Sequence, residues 1–204
     1  DRKQVVQKAM QQVMDAGTDV SKLKKEHIED YKALFSRQDF SLHTDRSGRT
    51  DKLLKDPAAF QAVCELLYHY GKYLMISGSR RGGQPLNLQG QWNANIRPAW
   101  SSNYTVNINT QMNYWGASLC GLQECLEPYL RMVHEVCKRG EKTAKVNYGC
   151  RGFACNHNVD LWRKTAPVIG ESNYMYAPLC GVWLANEIYE HYLNGGLDAE
   201  RDTV

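Results

Sequence analysis

Hydrophobic residues recur at helical spacing through most of the chain, which predicts a mainly helical protein. Charged and apolar residues alternate in this way over residues 3–15 and stop near Gly17. A second helix follows Ser21, a residue type that suits the N-cap position. Residues 39–43 alternate polar and apolar side chains, which is typical of a short strand. The polar stretch 44–57 then predicts a connecting loop.

The broadest apolar face is predicted between residues 58 and 76. Its members are Phe60, Val63, Leu66, Leu67, Tyr70, Tyr73 and Leu74. Because the face is so wide, we expect this helix to be buried between other elements. The glycine-rich segment 78–85 ends it, and residues 86–106 follow as an irregular stretch with Trp92, Trp100 and several amides.

Three more helices are predicted in the second half of the chain. They run from Asn107 or Asn109 to about Cys120, from about Glu127 to Asn147, and from about Pro178 to Leu193. The middle helix is expected to turn four apolar residues inward: Leu130, Val133, Val136 and Val146. Its outer face offers three solvated pairs at i, i+4 spacing: Glu127–Arg131, Glu135–Arg139 and Glu141–Lys145. The last helix carries Leu179, Val182, Trp183, Ile188 and Tyr192 as its apolar residues and is expected to end at Asn194-Gly195-Gly196.

Helices that alternate with long, aromatic, amide-rich loops favour an all-α fold. A toroid of paired helices fits this pattern, with the loops gathered at one end around a cleft. A simple four-helix bundle fits less well because the loops are too long. A closed ring of twelve such helices needs about 250–400 residues, so the roughly six helices counted here predict about half of a ring.

Composition excludes several classes of protein. Hydrophobic residues make up 43% of the 204 residues, which is enough to build a core. The net charge of +3, from 25 basic and 22 acidic residues, gives no reason to expect a nucleic-acid partner. No apolar run approaches the roughly 20 residues of a membrane span. The chain starts at Asp1 without a signal-like segment, so we interpret it as a piece of a longer protein.

Seven cysteines leave at least one thiol unpaired within the chain. Their spacing contains no CxxC pair, so zinc is only weakly supported. No cofactor is expected. A partial metal site from Cys150, Cys155 and His157 is a weaker alternative to buried, hydrophobe-like thiols.

The segment Gln84–Asn93 holds five amides and an indole, among them Gln89 and Trp92. Amides donate and accept hydrogen bonds, as sugar hydroxyls do, and indole rings stack on the apolar faces of sugars. The segment therefore suits carbohydrate binding. The alternative is that the amides only stabilise the backbone of their own loop.

Two further segments carry candidate polar groups. Asn107 and Asn109 flank one residue, so their amides point the same way in extended backbone, and Asn113 shares a helical face with Asn109. One of the pair is equally suited to a plain N-cap. The second segment alternates polar and aromatic groups that could ring a ligand: His157, Asn158, Asp160 and Trp162. A structural histidine that Asp160 orients is the alternative there.

Together these blocks resemble glycoside hydrolase family 95, the inverting α-L-fucosidases. The resemblance covers nearly everything after residue 26. Its matching blocks are 27–35, 49–53, 70–74, 77–80, 87–90, 92–93, 107–109, 111–115, 127–128, 149–153, 157–158, 160, 162, 183–184 and 190–192. It implies a helical linker over residues 1–40 and the N-terminal half of an (α/α)6 catalytic domain over 41–204.

The resemblance also implies a reaction and roles for residues. Terminal α-L-fucosyl or α-L-galactosyl linkages would be hydrolysed with inversion, which requires an acid and an activated water on opposite faces of the sugar. Asn107 and Asn109 match the family's water-holding pair and are the expected catalytic residues. The acid Glu and the water-activating Asp are expected beyond this sequence, so the chain alone is expected to be inactive. The expected binding residues are Gln89, Trp92, Asn113, His157, Asn158, Asp160 and Trp162.

Two positions depart from the family pattern: Gln91 in the first loop and Asn156, where the family commonly has His. Both are candidates for tuning the sugar that is bound. The expected partners are a fucosylated glycan and the remainder of the catalytic domain, with neither nucleic acid nor membrane. A bacterial source and a secreted or periplasmic location are expectations from the family alone. A noncatalytic carbohydrate-binding or helical interaction module is the alternative function.

Overall fold

A computed structural model describes residues 1–45 and 47–194 of the chain. Within them the protein is mostly helical, which confirms the all-α prediction. Eight α-helices are found in the described residues: α1 (Arg2–Ala16), α2 (Val20–Phe35), α3 (Thr50–Leu53), α4 (Phe60–Gly78), α5 (Asn109–Leu119), α6 (Glu127–Tyr148), α7 (Ser172–Met175) and α8 (Cys180–Leu193). Two short strands, β1 (Tyr104–Thr105) and β2 (Asn158–Val159), pair antiparallel.

The chain forms two compact units, which meet in the sequence between Arg37 and Gln38. The first unit holds α1 and α2. Gly17 caps the C-terminus of α1, as the sequence predicted. The predicted N-cap of α2 is wrong: Asp19 takes that position, because its carboxylate accepts a hydrogen bond from the Lys22 amide at 3.0 Å. Ser21 lies inside the first turn.

The second unit, from Gln38 onward, has its core where α5, α6 and α8 pack together. Tyr129 and Leu184 meet there, and the Tyr129 hydroxyl donates to the Leu184 carbonyl at 2.9 Å. Leu122, Met132 and Val136 are buried in the same core. This packing fixes α5 against the following helices and so places the start of α5, where the two candidate catalytic amides lie.

The predicted strand at 39–43 is wrong, since that segment is irregular. Side chains of α4 satisfy its backbone in place of a partner strand. The Glu65 carboxylate accepts from the Leu42 amide, and the Lys72 ammonium donates to the Gln38 carbonyl. Glu65 and Lys72 are both buried, which the apolar pattern of α4 did not indicate.

Several helical faces differ from prediction. Val146 is exposed because α6 turns Gly140, Thr143 and Ala144 inward at its C-terminal end. Glu135 pairs with Arg163, at 2.6 Å, and not with Arg139 as predicted. The predicted pair Glu127–Arg131 is present at 2.6 Å, but its side chains are half-buried and not solvated. The Glu127 carboxylate also accepts a hydrogen bond from the Gly82 amide at 3.0 Å and so ties a loop to α6.

Large apolar side chains on α4 and α8 face outward in this chain. On α4 these include Phe60, Leu67, Tyr70 and Tyr73, and on α8 they include Val182, Tyr189 and Tyr192. The helix α8 instead turns Cys180, Gly181, Leu184 and His191 inward, and the missing side chain of Gly181 leaves room for Phe153 and Cys155. The expected burial of the wide face of α4 is met only in part among the described residues, where Val63, Leu66 and Leu74 are half-buried. The predicted end of α8 at Gly195-Gly196 lies outside the described residues.

Candidate functional site

A cavity of about 780 Å³ opens where the start of α5 meets the segments around β2 and α7. It is lined by Leu88, Trp100, Thr105, Asn107, Ile108, Asn109, His157, Asn173, Tyr174 and Ala177. Three of the nine predicted site residues thus lie together: Asn107, Asn109 and His157. No carboxylate of the described residues lines this cavity.

The two asparagines flank the N-cap of α5, which is Ile108 and makes no side-chain capping bond. The preceding turn is held by Gln111, whose amide donates to the buried Val106 carbonyl at 2.7 Å. Among the described residues, neither the Asn107 nor the Asn109 side chain has a hydrogen-bond partner. Both amides therefore keep their full capacity to bind a ligand or a water in the cavity.

The short sheet brings the second segment to the first. Tyr104 pairs with Val159 and Thr105 with Asn158, and the Val106 amide donates to the His157 carbonyl at 2.7 Å. This register places His157 beside the start of α5. Asn158 accepts a hydrogen bond from the Thr105 hydroxyl at 3.2 Å, so its amide ties the two strands together.

His157 is only 6% exposed, and its Nδ1 atom has no hydrogen-bond partner in the described structure. Its ring meets that of Tyr174 edge-on, with centroids 5.9 Å apart. Burial lowers the pKa of His157 because the charged form loses hydration. The imidazole is thus held neutral near pH 7, with one nitrogen able to act as donor and the other as acceptor.

The lowered pKa of His157 predicts a loss of stability in mild acid. The unfolded state takes up a proton near pH 6.5 and the folded state only at lower pH, so the free energy of unfolding falls as the pH drops from 6.5 through the folded pKa. NMR titration of the His157 ring should show a midpoint below 6.5. The His157→Gln variant should lose this part of the pH dependence; an unchanged slope in the variant would contradict the assignment.

The other predicted residues lie outside the cavity, and several make local structural contacts. The Asn113 amide donates to the Asn87 carbonyl at 3.3 Å and so holds the amide-rich loop. Trp92 packs beside Tyr73 of α4, with centroids 6.4 Å apart. The Gln89 backbone amide donates to the Asn87 side chain at 2.9 Å. Sugar contacts by Asn113, Trp92 and Gln89 stay predictions.

Asp160 and Trp162 belong to the loop after β2. One Asp160 carboxylate oxygen accepts from the Trp162 and Lys164 amides, both at 2.9 Å, so this side chain stabilises its own loop. Trp162 is 79% exposed. Neither residue lines the cavity, and their binding roles also stay predictions.

Four cavity residues with polar or stacking groups were not singled out as site residues: Trp100, Thr105, Asn173 and Tyr174. Trp100 begins a run of three left-handed residues with φ values of 55°, 55° and 49°, a conformation uncommon outside glycine. The Ser102 hydroxyl fixes this turn by donating to the Asn87 side chain at 2.9 Å. The sequence signal available for Trp100 was an indole placed between two amide-rich segments. The sequence of the short helix α7 contained no comparable signal for Tyr174.

The two departures from the family pattern make structural contacts. The Gln91 amide donates to the Gly78 carbonyl at 3.2 Å and so satisfies the C-terminal end of α4. Asn156 is fully buried behind the cavity. Neither side chain lines the cavity, so neither contacts a sugar bound there.

The thiols do not form a metal site in the described part of the chain. All seven cysteines are free, and no three His, Cys, Asp or Glu side chains there come close enough to hold an ion. Cys155 is buried while Cys150 is exposed. Among the same residues, no helix combines the length and apolarity that crossing a membrane requires.

Amides free to hydrogen-bond, a neutral imidazole and aromatic rings around one cavity are groups that suit carbohydrate binding. The model of the glycosyl hydrolase family 95 catalytic domain matches residues 19–197. The chain therefore belongs to glycoside hydrolase family 95, and the resemblance found in the sequence is confirmed.

Plant and fungal relatives agree with this membership. The chain is 38% identical to alpha-L-fucosidase 2 of Arabidopsis thaliana over 183 residues, and 33% identical to probable alpha-fucosidase A of Aspergillus niger over 180 residues. Each match covers 84% of this chain and 22% of the relative. Probable alpha-fucosidase A of Aspergillus oryzae is 32% identical over 191 residues, 86% of this chain and 26% of that protein. The chain thus spans about a quarter or less of the curated relatives that it matches.

Proposed function

We propose that the protein containing this chain hydrolyses terminal α-L-fucosyl linkages in glycans, with inversion at the anomeric carbon. α-L-Galactosyl linkages are the alternative substrates. One observation carries the proposal: Asn107 and Asn109 line one cavity, and neither amide is used by the described residues. The names of the relatives support fucose as the sugar.

In the proposed reaction the two amides hold a water through their carbonyl oxygens. A carboxylate polarises this water, which attacks the anomeric carbon while an acid protonates the departing oxygen on the opposite face. His157, Trp100 and Tyr174 would bind the sugar by hydrogen bonding and stacking. No described carboxylate lines the cavity, so we assign the acid and the polarising carboxylate to other parts of the protein.

We further propose that the rest of an (α/α)6 catalytic domain covers the outward apolar faces of α4 and α8. Exposed Leu67, Tyr70, Val182 and Tyr189 support this, because such faces are costly to leave in water. Residues 1–40 would then be the helical linker and 41–204 the N-terminal half of that domain. The chain alone would be inactive. A secreted or periplasmic location and a bacterial source also remain proposals.

Fucose release from 2′-fucosyllactose tests the proposal, with the full-length protein and the 204-residue chain measured side by side. We expect the full-length protein to release fucose and the chain to be silent. Proton NMR of the first product should show β-L-fucose, the inverted anomer. α-L-Fucose as first product would contradict inversion. A full-length protein that binds the oligosaccharide without cleaving it would favour the noncatalytic carbohydrate-binding module.

A further inference from the structure

Asn156 lies directly before the cavity residue His157, and both polar atoms of its side chain are paired. Its Oδ1 accepts from the Tyr148 hydroxyl at 2.9 Å and from the Ala177 amide at 2.8 Å, and its Nδ2 donates to the Thr165 carbonyl at 2.9 Å. The Asn156 backbone amide donates to the same carbonyl at 3.0 Å. The residue is fully buried, with no exposed surface.

These bonds join three separate parts of the chain. Tyr148 is the last residue of α6, and the Thr165 hydroxyl is itself bonded to Thr143 of α6 at 2.7 Å. Ala177 lies between α7 and α8 and lines the cavity, three residues after Tyr174, whose ring meets His157. One amide therefore anchors the cavity wall that carries Tyr174 and Ala177 to the C-terminal end of α6.

We propose that Asn156 is a positioning residue that sets the distance between the Tyr174–Ala177 wall and His157, and so determines how tightly the sugar is held. The inference rests on the proposed function of the cavity. Asn156 acts through Ala177 and does not touch the substrate.

The chemistry of the amide explains why this side chain is suited to the position. Its oxygen has two acceptor sites and so serves both Tyr148 and Ala177, while its NH2 group serves Thr165. A neutral histidine, the residue common in the family here, has a single acceptor nitrogen and would leave the Tyr148 hydroxyl or the Ala177 amide unpaired in this chain. Alanine would leave all three partners unpaired in the interior.

Steady-state fucose release by the full-length protein tests this inference with two variants and a matched control. Asn156→Ala removes all three side-chain bonds and should lower kcat/KM about 10–100-fold, mainly through a higher KM, because the Asn107 and Asn109 turn is held independently. Tyr148→Phe removes one bond and should raise KM about 2–10-fold. Tyr129→Phe removes a tyrosine hydroxyl bond of the same length, 2.9 Å, between α6 and α8; Tyr129 does not line the cavity, so KM should stay unchanged.

Each outcome decides the inference. Higher KM in both test variants and an unchanged KM in Tyr129→Phe support it. If Asn156→Ala does not fold, the KM values of Tyr148→Phe and Tyr129→Phe are compared instead. A KM that stays unchanged in Tyr148→Phe, or rises equally in Tyr129→Phe, overturns the positioning role while leaving the proposed function intact. An unsubstituted protein that releases no fucose contradicts the proposed function, and the inference falls with it.

Discussion

Replacing Asn107 or Asn109 by alanine in the full-length protein is expected to lower kcat/KM for fucose release by about 100–1,000-fold, the loss seen when one preorganised polar group is removed from a reacting centre. Each amide supplies one hydrogen bond to the attacking water in the proposed mechanism. With one amide left, the water is held at a single point and its approach to the anomeric carbon is no longer fixed. Since the transition state is affected more than sugar binding, kcat should fall more than KM rises.

The fold should tolerate these substitutions. Neither amide bonds to the described residues, Asn107 is exposed, and Gln111 holds the turn before α5. Thermal unfolding of both variants should therefore match that of the unsubstituted protein. Asn147→Ala, at an exposed position near the end of α6, is the matched control and should keep full activity. Full activity in Asn107→Ala and Asn109→Ala would show that the water-holding role assigned to them is wrong.

Helices were predictable because their period is local. The start of α5 was predicted at Asn107 or Asn109 and lies at Asn109. The span of α6 was predicted to within about a residue, because its apolar residues recur at helical spacing. The N-cap of α2 was missed because Asp19 and Ser21 are both good capping residues by type. Only the backbone geometry shows which of the two side chains accepts a hydrogen bond from the backbone amide three residues later.

Contacts between segments far apart in the chain were harder to predict from the sequence. His157 reaches Asn107 and Asn109 only because β1 pairs with β2 across more than fifty residues, in strands too short to have a periodic signature. Composition indicated amides suited to sugars. It did not distinguish the free amides of Asn107 and Asn109 from that of Asn113, which bonds to the Asn87 carbonyl.

Charged residues inside the protein were also missed. A buried Glu65 or Lys72 breaks the rule that charges stay outside, and the reason is a tertiary contact: both bond the irregular segment 38–44. On α4 the opposite error occurs, because apolar side chains predicted to be buried are exposed. Its apolar breadth predicted burial, yet three of these side chains are exposed among the described residues: Phe60, Leu67 and Tyr70.

Arg163 gives the second large expected effect, on stability. Its side chain is only 6% exposed, while that of its partner Glu135 is 41% exposed, and their charged groups meet at 2.6 Å. The guanidinium also donates to the Gln84 side chain at 2.8 Å and lies over the Tyr104 ring, 5.4 Å from its centroid. One cation thus joins α6, the amide-rich loop and β1.

Glu135→Ala should lower the free energy of unfolding by about 3 kcal/mol, because it leaves a buried cation without its anion. Arg163→Met should cost less, since the half-exposed Glu135 regains water and the methionine still packs on Tyr104. The double variant should consequently be more stable than Glu135→Ala alone. Urea unfolding of the full-length protein measures this cycle, with Glu141→Ala on the exposed face of α6 as a control expected to change stability by less than about 0.5 kcal/mol.

The order of stabilities distinguishes two physical origins of the effect. If the cost of Glu135→Ala comes from the stranded cation, removing the cation as well must restore stability. If it comes instead from lost attraction in an exposed pair, the effect of Glu135→Ala should stay within about 1 kcal/mol, and Arg163→Met should add no recovery. A double variant less stable than Glu135→Ala would show that Arg163 contributes mainly through Gln84 and Tyr104. The loop that carries Leu88 to the cavity would then depend on those two contacts more than on the ion pair.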